Sequence, residues 1–182
     1  MILDALLQFD NASSLAIGAG TQASNNVIDF GIGTSANPAI PSLANGGGAR
    51  DMGIGDDPAL KLLVQVSTTF TSGGAATLAV ALQGAIDNGS GAPAAFSTWW
   101  TSPTYALATL KAGARLLDMD FPRPPAGIAI PRFVRLLYTV GTTNFTAGNV
   151  SAYIVLDRDD QPYSSTDNSV QGGYQAGINV AN

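Results

Sequence analysis

The sequence predicts an all-β protein, a jelly roll or β-sandwich with little helix. Three observations lead there. Seven or eight short runs alternate apolar with polar residues, the period of a strand with one buried face. Turn residues separate them, supplied by 21 Gly, 10 Pro and many Ser, Thr and Asn. The third is what is missing: all 13 acidic residues are Asp and only Lys61 and Lys111 are lysine. The straight-chain residues that favour exposed helix faces are therefore scarce.

The chain reads as a single domain over residues 1–182. Residues 1–10 hold Ile2, Leu3, Leu6, Leu7 and Phe9, which suits a short strand or an extended N-terminal arm. Residues 11–26 are small and polar and read as a loop, and Val27–Phe30 reads as a short strand. Residues 31–58 carry seven glycines with Pro38, Pro41 and Pro58, which predicts a long loop. The clearest strand is Leu60–Phe70, whose even positions Leu60, Leu62, Val64, Val66, Thr68 and Phe70 are apolar but for Thr68. After Ser72-Gly73-Gly74, alternation resumes at Ala76, Leu78, Val80, Leu82 and Ile86. Two alternating runs about a Gly-rich turn predict a β-hairpin, 60–70 with 76–86.

Asp87-Asn88-Gly89-Ser90-Gly91 is a turn. The aromatic stretch Phe96–Tyr105 follows, then a strand or helical turn over Tyr105–Leu110 and a strand over Ala114–Phe121 stopped by Pro122. Ile128–Val140 is the longest expected strand, with Arg132 the exception on its apolar face. Val150–Leu156 is the last strand, and residues 160–182 read as a polar surface tail.

Bulk composition excludes several functions. The net charge is −5 and the pI about 4.3, opposed to nucleic-acid phosphates or an anionic membrane surface as partner. No run approaches ~18 apolar residues, so no helix is expected to span a membrane. With neither Cys nor His, the chain has no disulfide, no thiol nucleophile, no His-dependent triad and no Cys/His zinc site.

The remaining chemistry-bearing patterns each have a plainer structural reading. Gly18-Ala-Gly20-Thr-Gln-Ala23 and Gly31-Ile-Gly33-Thr-Ser-Ala36 fit a loose dinucleotide pattern, but neither precedes a helix that would face a pyrophosphate. Asp157, Asp159 and Asp160 would offer oxygen ligands to calcium, without the Gly and Glu of an EF-hand. A solvated turn explains them as well. Asp118 and Asp120 would share one side of a strand, a carboxylate pair of the kind glycosidases use, or simple ion-pair partners for Arg115 and Arg123. Trp99, Trp100 and Tyr105 would form a sugar platform or a protein-binding hot spot. On an extended strand the two tryptophans would point to opposite sides, one into the core. No catalytic residue, cofactor site or firm metal site emerges, and the expectation is a non-enzyme.

The blocks Met1-Ile2-Leu3-Asp4 with Leu7 and Phe9, Asn26-Val-Ile-Asp29 with Gly31, Asp51-Met-Gly53-Ile-Gly55, Leu60–Phe70, and Tyr138-Thr-Val-Gly141 through Phe145-Thr-Ala-Gly148 to Val150–Asp157 occur in an order and spacing that resembles the capsid cement (decoration) proteins of short-tailed bacteriophages. The resemblance runs from residue 1 to about 157 and carries no catalytic motif. It implies a jelly roll made in the host cytoplasm that self-associates, as dimer or trimer, on the outer surface of the virion capsid. It also implies that the protein bridges major capsid protein subunits and stabilises the shell. Ile2, Leu3 and Leu6 on an arm, with Trp99, Trp100 and Tyr105, are then the candidate partner-binding residues. The alternative is a carbohydrate-binding jelly roll of the lectin or adhesin kind. A glycosidase using Asp118 and Asp120 is a third reading.

Overall fold

Leu60–Thr71 forms the strand its alternation predicts, with Leu62, Val64 and Val66 fully buried. In the computed structural model, which describes residues 7–30, 60–127 and 131–156, this strand is β4 of ten. The others are β1 (Gln8–Ser14), β2 (Gly20–Ala23), β3 (Ile28–Asp29), β5 (Thr77–Ala85), β6 (Ser97–Thr101), β7 (Tyr105–Ala106), β8 (Arg115–Asp120), β9 (Phe133–Gly141) and β10 (Ala147–Leu156). Helix among the described residues amounts to single 3-10 turns such as Leu107–Thr109.

The strands make two antiparallel sheets, ordered β1-β10-β4-β8 and β2-β9-β5-β6, with β3 also on β9 and β7 also on β5. The pairs are nested: β1 with β10, β2 with β9, β4 with β8, β5 with β6. The chain thus runs as one long antiparallel ribbon wound into a two-layer β-sandwich, the jelly-roll order. Leu62, Val64, Val66 and Ile154 of one sheet face Leu78, Val80, Leu82, Leu136 and Tyr138 of the other, all fully or almost fully buried. Each such aliphatic side chain contributes about 1.5–3 kcal/mol relative to exposure.

Two expectations change. The runs 60–70 and 76–86 are both strands but not a hairpin, because β4 and β5 belong to different sheets. The connection after Thr71 carries the chain across the sandwich. Their matching alternation arises because each strand presents its apolar face to the other sheet. Residues 11–26 are not one loop: they contain the end of β1 and all of β2. Small polar residues hid these strands, since Ser13, Ser24 and Asp10 are buried and hydrogen-bonded. For residues 1–10, read as a short strand or an extended arm, Gln8 onward is strand β1, paired with β10, and residues 1–6 lie outside the described residues. The expected loop 31–58, tail 160–182 and residues Ile128–Ile130 of the expected strand lie outside the described residues.

Two edge strands are interrupted in the same way. β2 and β3 follow one another along β9, and Ser24 fills the gap: its N–H donates to Leu136 O at 2.8 Å and its Oγ accepts the Leu136 N–H at 3.1 Å. β6 and β7 follow one another along β5. There Ser102 donates to Val80 O at 2.8 Å and its Oγ accepts the Val80 N–H at 2.9 Å. Pro103, which has no N–H, sits at this interruption, where a ladder hydrogen bond is not required.

Between the sheets lies a buried polar contact. Tyr138 on β9 donates its hydroxyl to Asp10 Oδ2 on β1 at 2.6 Å, and the Asn25 N–H donates to Asp10 Oδ1 at 3.0 Å. Both carboxylate oxygens therefore have donors, as a buried carboxylate requires.

Candidate functional site

The end of the sandwich where β3, β5, β8 and β10 finish and β4, β6 and β9 begin carries most of the groups of interest. The register places them together: Asp29 and Ala85 both flank Phe133, Gly84 faces Ser97, Lys61 faces Asp120, and Leu60 faces Leu156. Phe30 meets Phe121 edge-on at 6.3 Å and ties the two sheets together there. The opposite end is closed by described turns, among them 72–76 and 142–146.

Arg132, the exception on the apolar face of the expected strand Ile128–Val140, lies just before β9 and holds this end. Its Nε and one terminal nitrogen donate to the two oxygens of Asp29 at 2.8 and 2.9 Å, and the other terminal nitrogen donates to Asp87 Oδ2. The bidentate fork matches the carboxylate plane. Asp87 Oδ1 accepts the N–H groups of Gly89 and Gly91 at 2.7 and 3.0 Å. Those two N–H groups, followed by Arg132, hold the Asp87 carboxyl below its ordinary value. The hydrogen bonds it donates to Asp29 hold the Arg132 guanidinium above its own. Gly89 and Gly91 have φ of 92° and 80°, the left-handed region that this turn requires and glycine allows.

The aromatic stretch departs from its expected geometry. Leu82 pairs with Trp100 and Gln83 with Thr98, so Trp99 is the extra residue of a β-bulge on β6. The bulge cancels the alternation. Trp99 and Trp100 are both half-buried and both pack against the core, instead of one facing in and one out. Trp99 lies over Gly84, where a Cβ would come within 2.8 Å of the ring and 2.7 Å of Pro131. Its indole N–H is buried and has no acceptor among the described residues. Beside it opens a pocket of about 200 Å³ lined by Gly84, Ala85, Ile86, Ala95, Ser97, Trp99 and Pro131. Tyr105 plays a different part. Its hydroxyl donates to Leu116 O at 2.5 Å and joins the edge of one sheet to the edge of the other. Burial pushes the Tyr105 hydroxyl above its ordinary pKa.

Asp118 and Asp120 share the outward side of β8, as expected, but each faces a cation. Lys61 Nζ lies 2.6 Å from Asp120 and Arg115 lies 3.5 Å from Asp118. Asp120 thus takes Lys61 across the strands, a partner not apparent from sequence neighbours. Among the described residues no group of three or more acidic side chains could hold a metal ion, and no helix is long and apolar enough to cross a membrane. Ile2, Leu3 and Leu6, with Asp157, Asp159 and Asp160, lie outside the described residues. Gly20 of the first glycine pattern opens β2, so a strand follows it in place of a helix.

The Bbp16 family profile matches residues 12–154. The chain belongs to the Bbp16 family. The match runs from within β1 to within β10, so Bbp16 membership covers both sheets and the Arg132 clamp. No curated protein matches the chain.

Proposed function

We propose that this Bbp16-family protein is a virion structural protein, a cement that binds the outside of a phage head and bridges major capsid protein subunits. The jelly roll recurs in virus-shell proteins and in lectins, so the fold admits both. The observation that carries the choice is the clustering at one end. Apolar Ile86 and the Trp99 pocket lie together at the end that bears the Arg132 clamp, while the turns 72–76 and 142–146 lie at the other. That asymmetry suits a module that attaches by one end. The order of the sequence blocks that resemble cement proteins supports the same reading. So does the net charge of −5, which suits an outer capsid surface better than contact with packaged DNA.

A carbohydrate-binding role is less well supported. Trp99 and Trp100 are turned toward the core, Tyr105 is engaged with Leu116, and the described lining of the pocket beside Trp99 offers only Ser97 and the Trp99 indole N–H as side-chain polar groups. Sugar recognition needs several placed polar groups.

Binding only the assembled shell stabilises it by mass action. Co-sedimentation of the purified protein with heads stripped of their decoration tests this. Saturable pelleting at a stoichiometry set by the shell lattice is expected. Protein that remains in the supernatant at micromolar concentration, together with glycan-array hits, would replace the cement reading with the lectin one.

A further inference from the structure

We propose that Asn88 is a site of irreversible chemical modification, deamidation through a succinimide, and that the Arg132–Asp87 clamp is its guard, an inference independent of the cement reading. An Asn followed by Gly favours this reaction, because glycine sets no Cβ beside the attacking nitrogen. The chain has two such pairs, Asn45-Gly46 and Asn88-Gly89, and the second lies within the described residues. There the Gly89 amide nitrogen loses its proton to base and attacks the Asn88 side-chain carbonyl carbon. The new C–N bond forms as the bond from that carbon to Nδ2 breaks, and ammonia leaves with a proton taken from water. Water then opens the cyclic imide at either carbonyl. The product is Asp or isoaspartate at position 88, an amide exchanged for a carboxylate with no oxidant or reductant.

Crowding does not protect this pair. Asn88, Gly89 and Ser90 are all exposed, and a Cβ built on Gly89 would meet nothing within 4 Å. What holds the pair is hydrogen bonding. The Gly89 N–H, whose proton must leave first, donates to Asp87 Oδ1 at 2.7 Å. Taking a proton from an amide that faces a carboxylate sets two negative charges side by side, so this bond opposes the first step. The side chain under attack is fixed in the same turn: Asn88 Oδ1 accepts the Ser90 N–H at 2.9 Å and the Ser90 hydroxyl at 2.7 Å. Asp87 is in turn positioned from outside the turn. Arg132 donates to its Oδ2 and to both oxygens of Asp29, while the Gly91 N–H donates to Asp87 Oδ1 at 3.0 Å. Opening the clamp therefore frees the Gly89 N–H. The change runs one way. The product carboxylate stands beside Asp87 and repels it. Isoaspartate also lengthens the main chain between residues 88 and 89, so the N–H groups of Gly89 and Gly91 no longer meet Asp87 as before.

Base-catalysed hydrogen exchange at Gly89 removes the same proton as the first step, so one opening event sets both rates. Trypsin cleavage after Lys61 and Lys111 releases residues 62–111, in which Asn88 is the one asparagine, and mass spectrometry of that peptide follows the conversion of amide to acid. Conversion in mildly alkaline buffer is compared between folded wild type, the chain unfolded in guanidinium, and the variants Arg132→Met and Asp87→Ala, each checked for folding by a thermal scan. The expected result is conversion about tenfold slower in the folded wild type than in the unfolded chain, matched by the protection of Gly89 from exchange. Both variants are expected to lose most of the protection at Gly89 and to convert faster than wild type. A folded wild type that converts as fast as the unfolded chain overturns the proposal, and that comparison needs no variant. Folded variants that convert as slowly as wild type overturn it as well, because the clamp is then not the guard.

Discussion

Tyr138→Phe removes one hydroxyl from the centre of the sandwich and changes almost nothing else in shape. Tyr138 and Asp10 are at most 1% exposed, so neither can exchange its partner for water. The hydroxyl donates to a carboxylate oxygen at 2.6 Å across the two sheets. A hydrogen bond to a charged group contributes about 1.5–3 kcal/mol net, and an orphaned buried acceptor costs at least a further part of its desolvation. Together these place the loss at about 2–4 kcal/mol. For a chain of this size 1 kcal/mol moves Tm by about 2–4 °C, so a fall of about 5–15 °C is expected. The assay is urea unfolding with an unchanged m-value, paired with a thermal scan. The same contact sets an alkaline signature. Burial, and then the Asp10 carboxylate, hold the Tyr138 hydroxyl well above its ordinary value of 10.0. Below pH ~10 the phenol is protonated folded and unfolded, and the contact is at full strength. Above pH ~10 the unfolded chain sheds this proton while the folded chain keeps it. Stability then falls by about 1.4 kcal/mol per pH unit from this residue, until the folded pKa is reached. Tyr138→Phe makes the alkaline limb shallower. A variant within about 0.5 kcal/mol of wild type at pH 7, with an unaltered alkaline limb, would refute the buried-pair argument.

Three further perturbations follow from the geometry. Gly148→Ala places a Cβ 2.3 Å from the Phe70 ring at a φ of 141°. Overpacking and backbone strain together are expected to lower unfolding free energy by about 2–5 kcal/mol, measured by urea unfolding. Arg132→Met removes the donor to Asp29 and Asp87, and faster amide exchange at Ile28, Asp29 and Gly89 than at the centre of β4 is the expected result. Because the Asp87 carboxyl is held below its ordinary value, its contribution is present above pH ~4 and fades as pH falls through its lowered folded value. The same fading should be absent in Arg132→Met combined with Asp87→Asn. Finally, Asp118→Asn with Asp120→Asn changes stability by less than about 1 kcal/mol, as for exposed ion pairs. Wild-type binding to phage heads by this double variant would agree with a structural part for both residues.

Strand periods were legible wherever one face is buried and the other wet, as in Leu60–Phe70 and Val150–Leu156. What alternation cannot carry is which strand pairs with which. Runs 60–70 and 76–86 have compatible faces whether they pair side by side or face each other across a core, and only the partner strands β10 and β9 decide between the two. Residues 11–26 misled because their buried groups are polar: Ser13 and Ser24 take part in hydrogen bonds that no hydropathy pattern registers. The bulge at Trp99 inverted a parity argument that was sound for a regular strand. At the candidate site Trp99 stood out as an aromatic, whereas Gly84, Ile86 and Pro131 did not, because a pocket forms from residues distant in sequence. Arg132 gave one usable signal, a charge on an otherwise apolar face, and such a charge implies partners brought from elsewhere in the chain.

Cryo-electron microscopy of stripped phage heads re-decorated with the purified protein tests the central claim most directly. The account predicts density for the sandwich on the outer surface, repeated with the shell lattice and spanning neighbouring capsid subunits. The end bearing Ile86, Trp99 and Arg132 should face the shell. Density inside the head, no added density, or attachment by the opposite end through the 72–76 and 142–146 turns would contradict it.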